Sequence, residues 1–410
     1  MSRSLQFIAC VATVVGGLCA AQIASAQPAS AQAASASAQT STALSQEAAA
    51  QAASAPPAQE WWRQINFGAT LEGYYQYNFN EPADRVNVLR AYDTRANSFS
   101  LQQAALVVDA APDVAAGRRF GLRVDFQFGQ ATETVQGNAA NEPRPDAYRN
   151  VWQAYGTYVF PVGRGLTMDF GKFASNLGYE TNYAKDNQAF SRAYLFNFLP
   201  FYHSGLRLSL PVSDTVTVMY MLTNGIQQTE DFNDFKSQHV SVVLKPTPKI
   251  NATASYFFGH EQPDGGEPNG PDGRFQVVDA YVAYAATSAL TLGLDVNRTT
   301  NQVTRADDAL ALTGIGAYAR YQLTPAFAAG LRYEHLDDEG LFAGVDQRLQ
   351  ELTLTGEYKL ADGFLLRGEF RRDFSDVAFF PAPTADTSRR HQNTVLVGMV
   401  WWVGNKSGAW

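Results

Sequence analysis

Residues Phe120 to Gly129 read FGLRVDFQFG. Phe120, Leu122, Val124, Phe126 and Phe128 occupy one phase of a two-residue repeat, and Gly121, Arg123, Asp125, Gln127 and Gly129 occupy the other. A period of two specifies a β-strand with one apolar and one polar face. The polar phase carries a cation and an anion in mid-strand, at a depth that water must reach. Where this pattern recurs along most of a chain, the solvent expected for the apolar face is lipid, and the fold expected is a membrane barrel.

The pattern does recur. From Ile65 to Phe79 it alternates again, with aromatics crowded toward one end as at a membrane interface. Similar strands follow at Leu206 to Leu210, Val216 to Thr223, Ile250 to Phe258, Leu290 to Asn297, Phe327 to His335, Glu351 to Leu360 and Phe364 to Asp373. Less regular ones are predicted at Phe99 to Asp109, Tyr148 to Phe160, Leu166 to Lys172, Gln238 to Lys245, Phe275 to Ala285, Thr313 to Leu323 and Gln392 to Trp402. The total is about sixteen, and an even count suits a bacterial single-chain barrel.

The connections alternate between short and long. Pro161 to Gly165, Pro211 to Thr215, Thr324 to Ala326 and Ala361 to Gly363 are tight and turn-rich, whereas Phe173 to Ser204, Gly259 to Arg274 and Phe374 to His391 are long. Short periplasmic turns and long external loops belong to an antiparallel up-and-down transmembrane β-barrel. A soluble sandwich would have to bury the same apolar faces in one core, and single cores rarely grow to about 350 residues. Charges also avoid the lipid phase, where Arg or Lys would cost roughly 2–4 kcal/mol. Arg207, Asp295, Arg332, Glu334, Glu357, Lys359, Arg367, Glu369 and Arg371 all fall on the polar phase.

Composition agrees with this class. One positive residue, Arg3, precedes an apolar stretch from Leu5 to Ile23 and the small triplet Ala24-Ser25-Ala26, so residues 1–26 read as a cleaved secretory signal. Residues 27–60 are almost entirely Ala, Ser and Gln, a flexible periplasmic spacer, and the barrel is expected over 61–410. Both cysteines, Cys10 and Cys19, lie in the signal, which excludes disulfides, thiolate metal sites and cysteine nucleophiles from the mature chain. Without Arg3, 30 basic residues face 39 acidic ones, and no basic stripe is present to bind nucleic acid. Mean hydropathy is −0.22, consistent with strands that show lipid only every second residue. The 19 Tyr and 26 Phe can furnish aromatic girdles at both interfaces.

On the polar phase, charges of mixed sign stand two residues apart: Arg123 with Asp125, Arg332 with Glu334, Glu357 with Lys359, and Arg367, Glu369 and Arg371 in a row. They are expected to line an aqueous lumen and set its field; the alternative is a salt-bridge ladder that stiffens a closed barrel. The segment Phe173 to Ser204 holds nine aromatics among Glu180, Lys185, Asp186, Arg192 and His203, more than a solvated loop tolerates. As the third external loop it is expected either to fold into the lumen, with Lys172, Glu180 and Arg192 near a constriction, or to pack over the mouth or at a subunit interface.

Around this segment the chain resembles the OmpL-like family of outer-membrane β-barrel porins of Gram-negative bacteria. The resemblance rests on Trp152-Gln153-Ala154-Tyr155, Gly171-Lys172-Phe173, Gly178-Tyr179-Glu180, Asn187, Ser191-Arg192, Pro200 and Gly205, and extends more loosely over Trp61 to Trp410. It implies an outer-membrane porin that passes small hydrophilic solutes or ions, is inserted by the outer-membrane assembly machinery, and forms a homotrimer. It supplies no ligand residues.

Other chemistries have little support. His203 and Ser204 are adjacent on a predicted strand and would point to opposite faces, so they cannot serve as nucleophile and base. The loop Gly259 to Arg274, rich in Asp, Glu and Gly, lacks the spacing of an EF-hand, and no phosphate-binding glycine loop opens a helix. No cofactor is expected. The alternating strand stops near Trp402, after which Gly404 to Trp410 either hang free or present Trp410 as an assembly signal.

Overall fold

A strand with a wet face and a greasy face still needs lateral partners for its backbone, and in lipid a sheet must close on itself to leave no edge. A computed structural model, which describes residues 64–136, 142–262, 273–384 and 387–410, shows this closure. The ring begins with β1 (Asn66–Asn78), β2 (Ser98–Ala110), β3 (Phe120–Phe128), β4 (Val151–Phe160) and β5 (Leu166–Ala174). It continues with β6 (Tyr202–Pro211), β7 (Val216–Thr223), β8 (Ser237–Thr247), β9 (Ile250–Gly259) and β10 (Phe275–Ala285). β11 (Leu290–Asn301), β12 (Leu310–Gln322), β13 (Phe327–Glu339), β14 (Asp346–Ala361) and β15 (Phe364–Ser375) follow. A two-residue pair, β16 (Phe380–Pro381) and β17 (Ser388–Arg389), stands apart from the barrel, and β18 (His391–Gly404) completes it. Sixteen antiparallel strands thus form one closed barrel, sealed where β1 meets β18 with Gly68 opposite Gly404 and Asn78 opposite Thr394.

The faces sort as the alternation requires. On β3, Phe120 is 61% exposed and Phe128 44%, while Asp125 and Gln127 are fully buried. Aromatic pairs pack on the outer face, among them Tyr75 with Phe99, Tyr158 edge-to-face with Phe160, and Phe364 stacked on Trp401, as interfacial girdles do. Among the described residues no helix is long and apolar enough to cross a membrane.

Local departures from the expected strands have local causes. β4 begins at Val151, not Tyr148, because Pro145–Tyr148 forms a helical turn with proline in the first positions that such a turn favours. β6 begins at Tyr202, not Leu206; Tyr202, His203 and Ser204 are all buried, so no alternation shows there. Register shifts between Glu72 and Gly73 and between Asp125 and Phe126 turn successive side chains inward together, Gln102 with Gln103 on β2 and Trp152 with Gln153 on β4. The signal, the spacer and most of the acidic stretch of loop 260–274, Asp264 to Asp272, lie outside the described residues.

Candidate pore and its inner loop

The long connection from β5 to β6, residues 175–201, does not stay at the rim. Only short helical pieces form along it, a 3₁₀ turn at Ala184–Asp186 and a helix at Tyr194–Phe198, so most of its backbone groups have no local partner. Irregular backbone at membrane depth is tolerated only where protein or water satisfies it. Here the wall does so, with carboxylates for the N–H groups and guanidinium groups for the carbonyls.

The carboxylates come from around the ring. Gly178 N donates to Asp279 Oδ2 on β10 at 3.0 Å, and Tyr179 N to Asp295 Oδ2 on β11 at 3.0 Å. Ala184 N donates to Glu72 Oε1 on β1 at 2.8 Å. Phe190 N and Ser191 N both reach Glu369 on β15, the latter at 3.1 Å. Tyr194 N and Leu195 N share Glu334 on β13 at 2.5 and 3.0 Å. A carboxylate that accepts two adjacent N–H groups fixes a peptide plane as well as its position.

The guanidinium groups answer from β13 and β15. Arg367 donates to the carbonyls of Ala184 at 2.6 Å, Asn187 at 2.7 Å and Ala189 at 3.0 Å. Arg332 reaches Ser191 O at 2.8 Å, and Arg371 reaches Arg192 O at 2.5 Å. Each also holds a carboxylate, Arg367 with Glu357 at 2.6 Å, Arg332 with Glu351 at 2.6 Å and Arg371 with Asp373 at 2.7 Å. Within the loop, Glu180 pairs with Arg332 at 2.8 Å, while Arg192 braces the carbonyls of Thr181, Phe190 and Asn182.

Side chains add sockets. Phe190 fills the space beside Gly398, Tyr179 that beside Gly293, and Leu195 that beside Gly314; a Cβ at any of the three glycines would collide with the ring or methyl group lodged there. The Tyr179 ring also lies 4.4 Å from that of Tyr318, and Tyr183 donates to Asp125 at 3.1 Å.

The structure therefore brings together Asp295, Arg332, Glu334, Glu357, Arg367, Glu369 and Arg371 of the wall with Glu180 and Arg192 of the loop. The guanidinium groups of Arg332, Arg367 and Arg371 turn to protein carbonyls and carboxylates and are almost wholly buried. Arg123 and Asp125 pair with each other at 2.8 Å and touch the loop only through Tyr183. Lys172 and Arg207 sit to one side. The Lys172 ammonium lies 3.8 Å over the Tyr202 ring and donates to Gln136, and Arg207 pairs with Asp169 at 2.8 Å while lying 4.4 Å over Phe173. Lys359 is not part of the group: it pairs with Asp362 at a short turn and is half exposed.

Sequence reasoning passed over several participants. Glu72 and Asp279 are in phase on their strands, as Arg207 and Asp295 are, but neither has a charged neighbour two residues away to mark it as one of a pair. Glu351 is in phase too, and Arg320, also in phase, pairs with Glu357 at 2.6 Å and keeps 28% side-chain exposure. Arg90, from the loop after β1, enters the wall to bind Asp93 and Asp373 at 2.7 and 2.6 Å, which no periodicity could reveal. His203 and Ser204 make no pair; His203 instead lies 3.2 Å from Ser175 Oγ and from Gly225 O, buried against Phe257. Glu261, at the start of the acidic loop, accepts from Ile226 N at 2.7 Å and Ser237 Oγ at 2.6 Å, and burial pushes its carboxyl up to about 7. Among the described residues no cluster of three or more His, Cys, Asp or Glu could hold a metal ion.

The family described as "Putative beta-barrel porin-2, OmpL-like" matches residues 64–401. No curated protein matches the chain. Among solved structures it is similar to an anion-selective porin from Comamonas acidovorans, with TM-score 0.57 and 11% identity over 83% of this chain and 99% of that one. It is likewise similar to the outer membrane channel DcaP of Acinetobacter baumannii, with TM-score 0.54 and 11% identity over 83% and 97%. The trimer form of OmpT, an outer membrane protein of Vibrio cholerae, gives TM-score 0.53 and 11% identity over 83% and 99%. At such identities the likeness concerns the fold.

Proposed function

The chain belongs to the OmpL-like β-barrel porin family and is an outer-membrane porin by family and fold, and from that premise we propose that small polar solutes or ions diffuse passively along its inner loop. The observation that carries the path is the partial exposure of paired charges on the inner wall toward the periplasmic turns: Arg123, Arg207, Arg320 and Glu357 keep side-chain exposures of 13, 17, 28 and 10%. They bias entry as charged rings do, and the loop, held by Arg332, Glu334, Arg367, Glu369 and Arg371, sets the bore. No bond is made or broken, so the protein is not an enzyme. In this reading residues 1–26 are the export signal, residues 27–60 a periplasmic spacer, and the assembled protein a homotrimer inserted by the outer-membrane assembly machinery.

Single-channel recording of the purified protein in planar bilayers tests this. Discrete current steps are expected in simple salt, and their sustained absence contradicts it. A second reading draws on the loop itself, whose backbone is gripped from β1, β10, β11, β13 and β15. In that reading the barrel stays shut and acts through its external loops in adhesion or envelope organisation. Liposomes carrying the protein would then fail to swell in sugars of any size.

A further inference from the structure

The segment after β18 does not take the first course expected of it. At Gly404 it turns back into the barrel mouth instead of hanging free. Asn405 N and Lys406 N both donate to Phe67 O, at 3.0 and 3.1 Å, and Phe67 N returns a bond to Asn405 Oδ1 at 2.6 Å. Lys406 then pairs with Asp109 at 2.9 Å. These contacts aim the remaining residues inward, and Trp410 ends against the inner loop.

Trp410 meets the loop from several sides. Its main-chain N donates to Asp186 at 3.1 Å, and its ring lies 4.5 Å from the Lys185 ammonium and 5.8 Å edge-on to Tyr183. Lys185 also donates to Gly408 O at 3.1 Å. The far side of the indole rests on Gly68 of β1, where a Cβ would stand 2.6 Å from the ring. The residues touched, Tyr183, Lys185 and Asp186, flank Ala184, whose N–H is held by Glu72 and whose carbonyl is held by Arg367.

We propose that Trp410 and Lys185 are positioning residues of the pore: together they form a latch that holds the turn Ala184–Asp186 of the inner loop against the β1 wall from the periplasmic side. The wall carboxylates and guanidinium groups fix the loop along its length, while the latch bears on its one 3₁₀ turn. Releasing the indole frees that turn to leave Glu72, which exposes Ala184 and widens the passage beside it. The effect on current rests on the porin reading; the effect on the loop does not.

The test uses the absence of cysteine beyond Cys19. Ala184→Cys, at a fully buried position, is labelled with a membrane-impermeant maleimide in the folded barrel, alone and combined with Trp410→Ala, Lys185→Met or Gly68→Val. Heat-modifiable gel mobility selects the variants that keep the barrel. Removal of a cation–π and edge-to-face contact predicts a labelling rate raised about tenfold, both by Trp410→Ala and by Gly68→Val, which expels the indole from the opposite side. Lys185→Met keeps the stem and loses the charge, so it serves if Gly68→Val does not fold. Single-channel conductance of Trp410→Ala is expected to exceed that of the unaltered protein. Equal labelling rates in all folded variants overturn the latch, whatever the current. Faster labelling without current in any variant supports the latch and contradicts the porin reading instead.

Discussion

Arg367 and Arg320 show how one residue type serves two purposes on the same wall. Arg367 gives its donors to three loop carbonyls and to Glu357, whereas Arg320 binds Glu357 alone and keeps part of its side chain in the open. Arg367→Met leaves buried carbonyls without donors and is expected to cost on the order of 3–5 kcal/mol, read as a lower urea midpoint for loss of the heat-modifiable form. Arg320→Met is expected to shift that midpoint by less than about 1 kcal/mol, as partly exposed pairs do. The glycines carry a parallel distinction. Gly398→Val overpacks the Phe190 socket at an expected cost of about 1–3 kcal/mol, whereas Gly368→Val, with nothing within 4 Å of its built Cβ, is expected to leave the midpoint unchanged.

At the scale of elements, the strands and the inner loop are stabilised by different means. Strands close their own hydrogen bonds, and the loop borrows partners from the strands it crosses, so its order depends on side-chain charge. One contact between external loops depends on charge in the opposite sense. Glu261 joins loop 224–236 to the start of the next external loop through Ile226, Gln228 and Ser237. Its folded value of about 7 lies above its ordinary 4.5 because burial disfavours the charged form. The folded loop therefore binds the proton more tightly than the unfolded one. The stabilisation is complete below about pH 4.5 and is lost as pH rises to about 7, with little further change above. Hydrogen exchange at the Ile226 amide, corrected for intrinsic rate, is expected to show faster opening at pH 8 than at pH 5. Glu261→Gln, neutral throughout, should remove that difference.

Across the whole molecule, the distribution of charge sets what the pore prefers. Reversing a partly exposed cation by Arg320→Glu is expected to move the reversal potential in a salt gradient toward cation preference while leaving the barrel's gel mobility intact; no movement places Arg320 away from the permeation path. The fold was legible before any coordinates because alternation is a local property. Val216 to Thr223 and Phe275 to Ala285 end where their patterns end, and lipid on one side of every strand forces inward any charge that cannot afford hydrocarbon. Which charges would meet was not local. Glu72, Asp279 and Arg90 are separated from their loop and wall partners by 100 residues or more in several cases, and Trp410 reaches Asp186 across 224 positions. By itself the sequence determined an antiparallel barrel of about sixteen strands and, along the regularly alternating ones, which face is wet. Only the tertiary structure decided that most of the inner charges grip a loop and that Trp410 braces it, because a backbone dragged into the lumen must take its hydrogen-bond partners from whichever strands the closed ring brings around it.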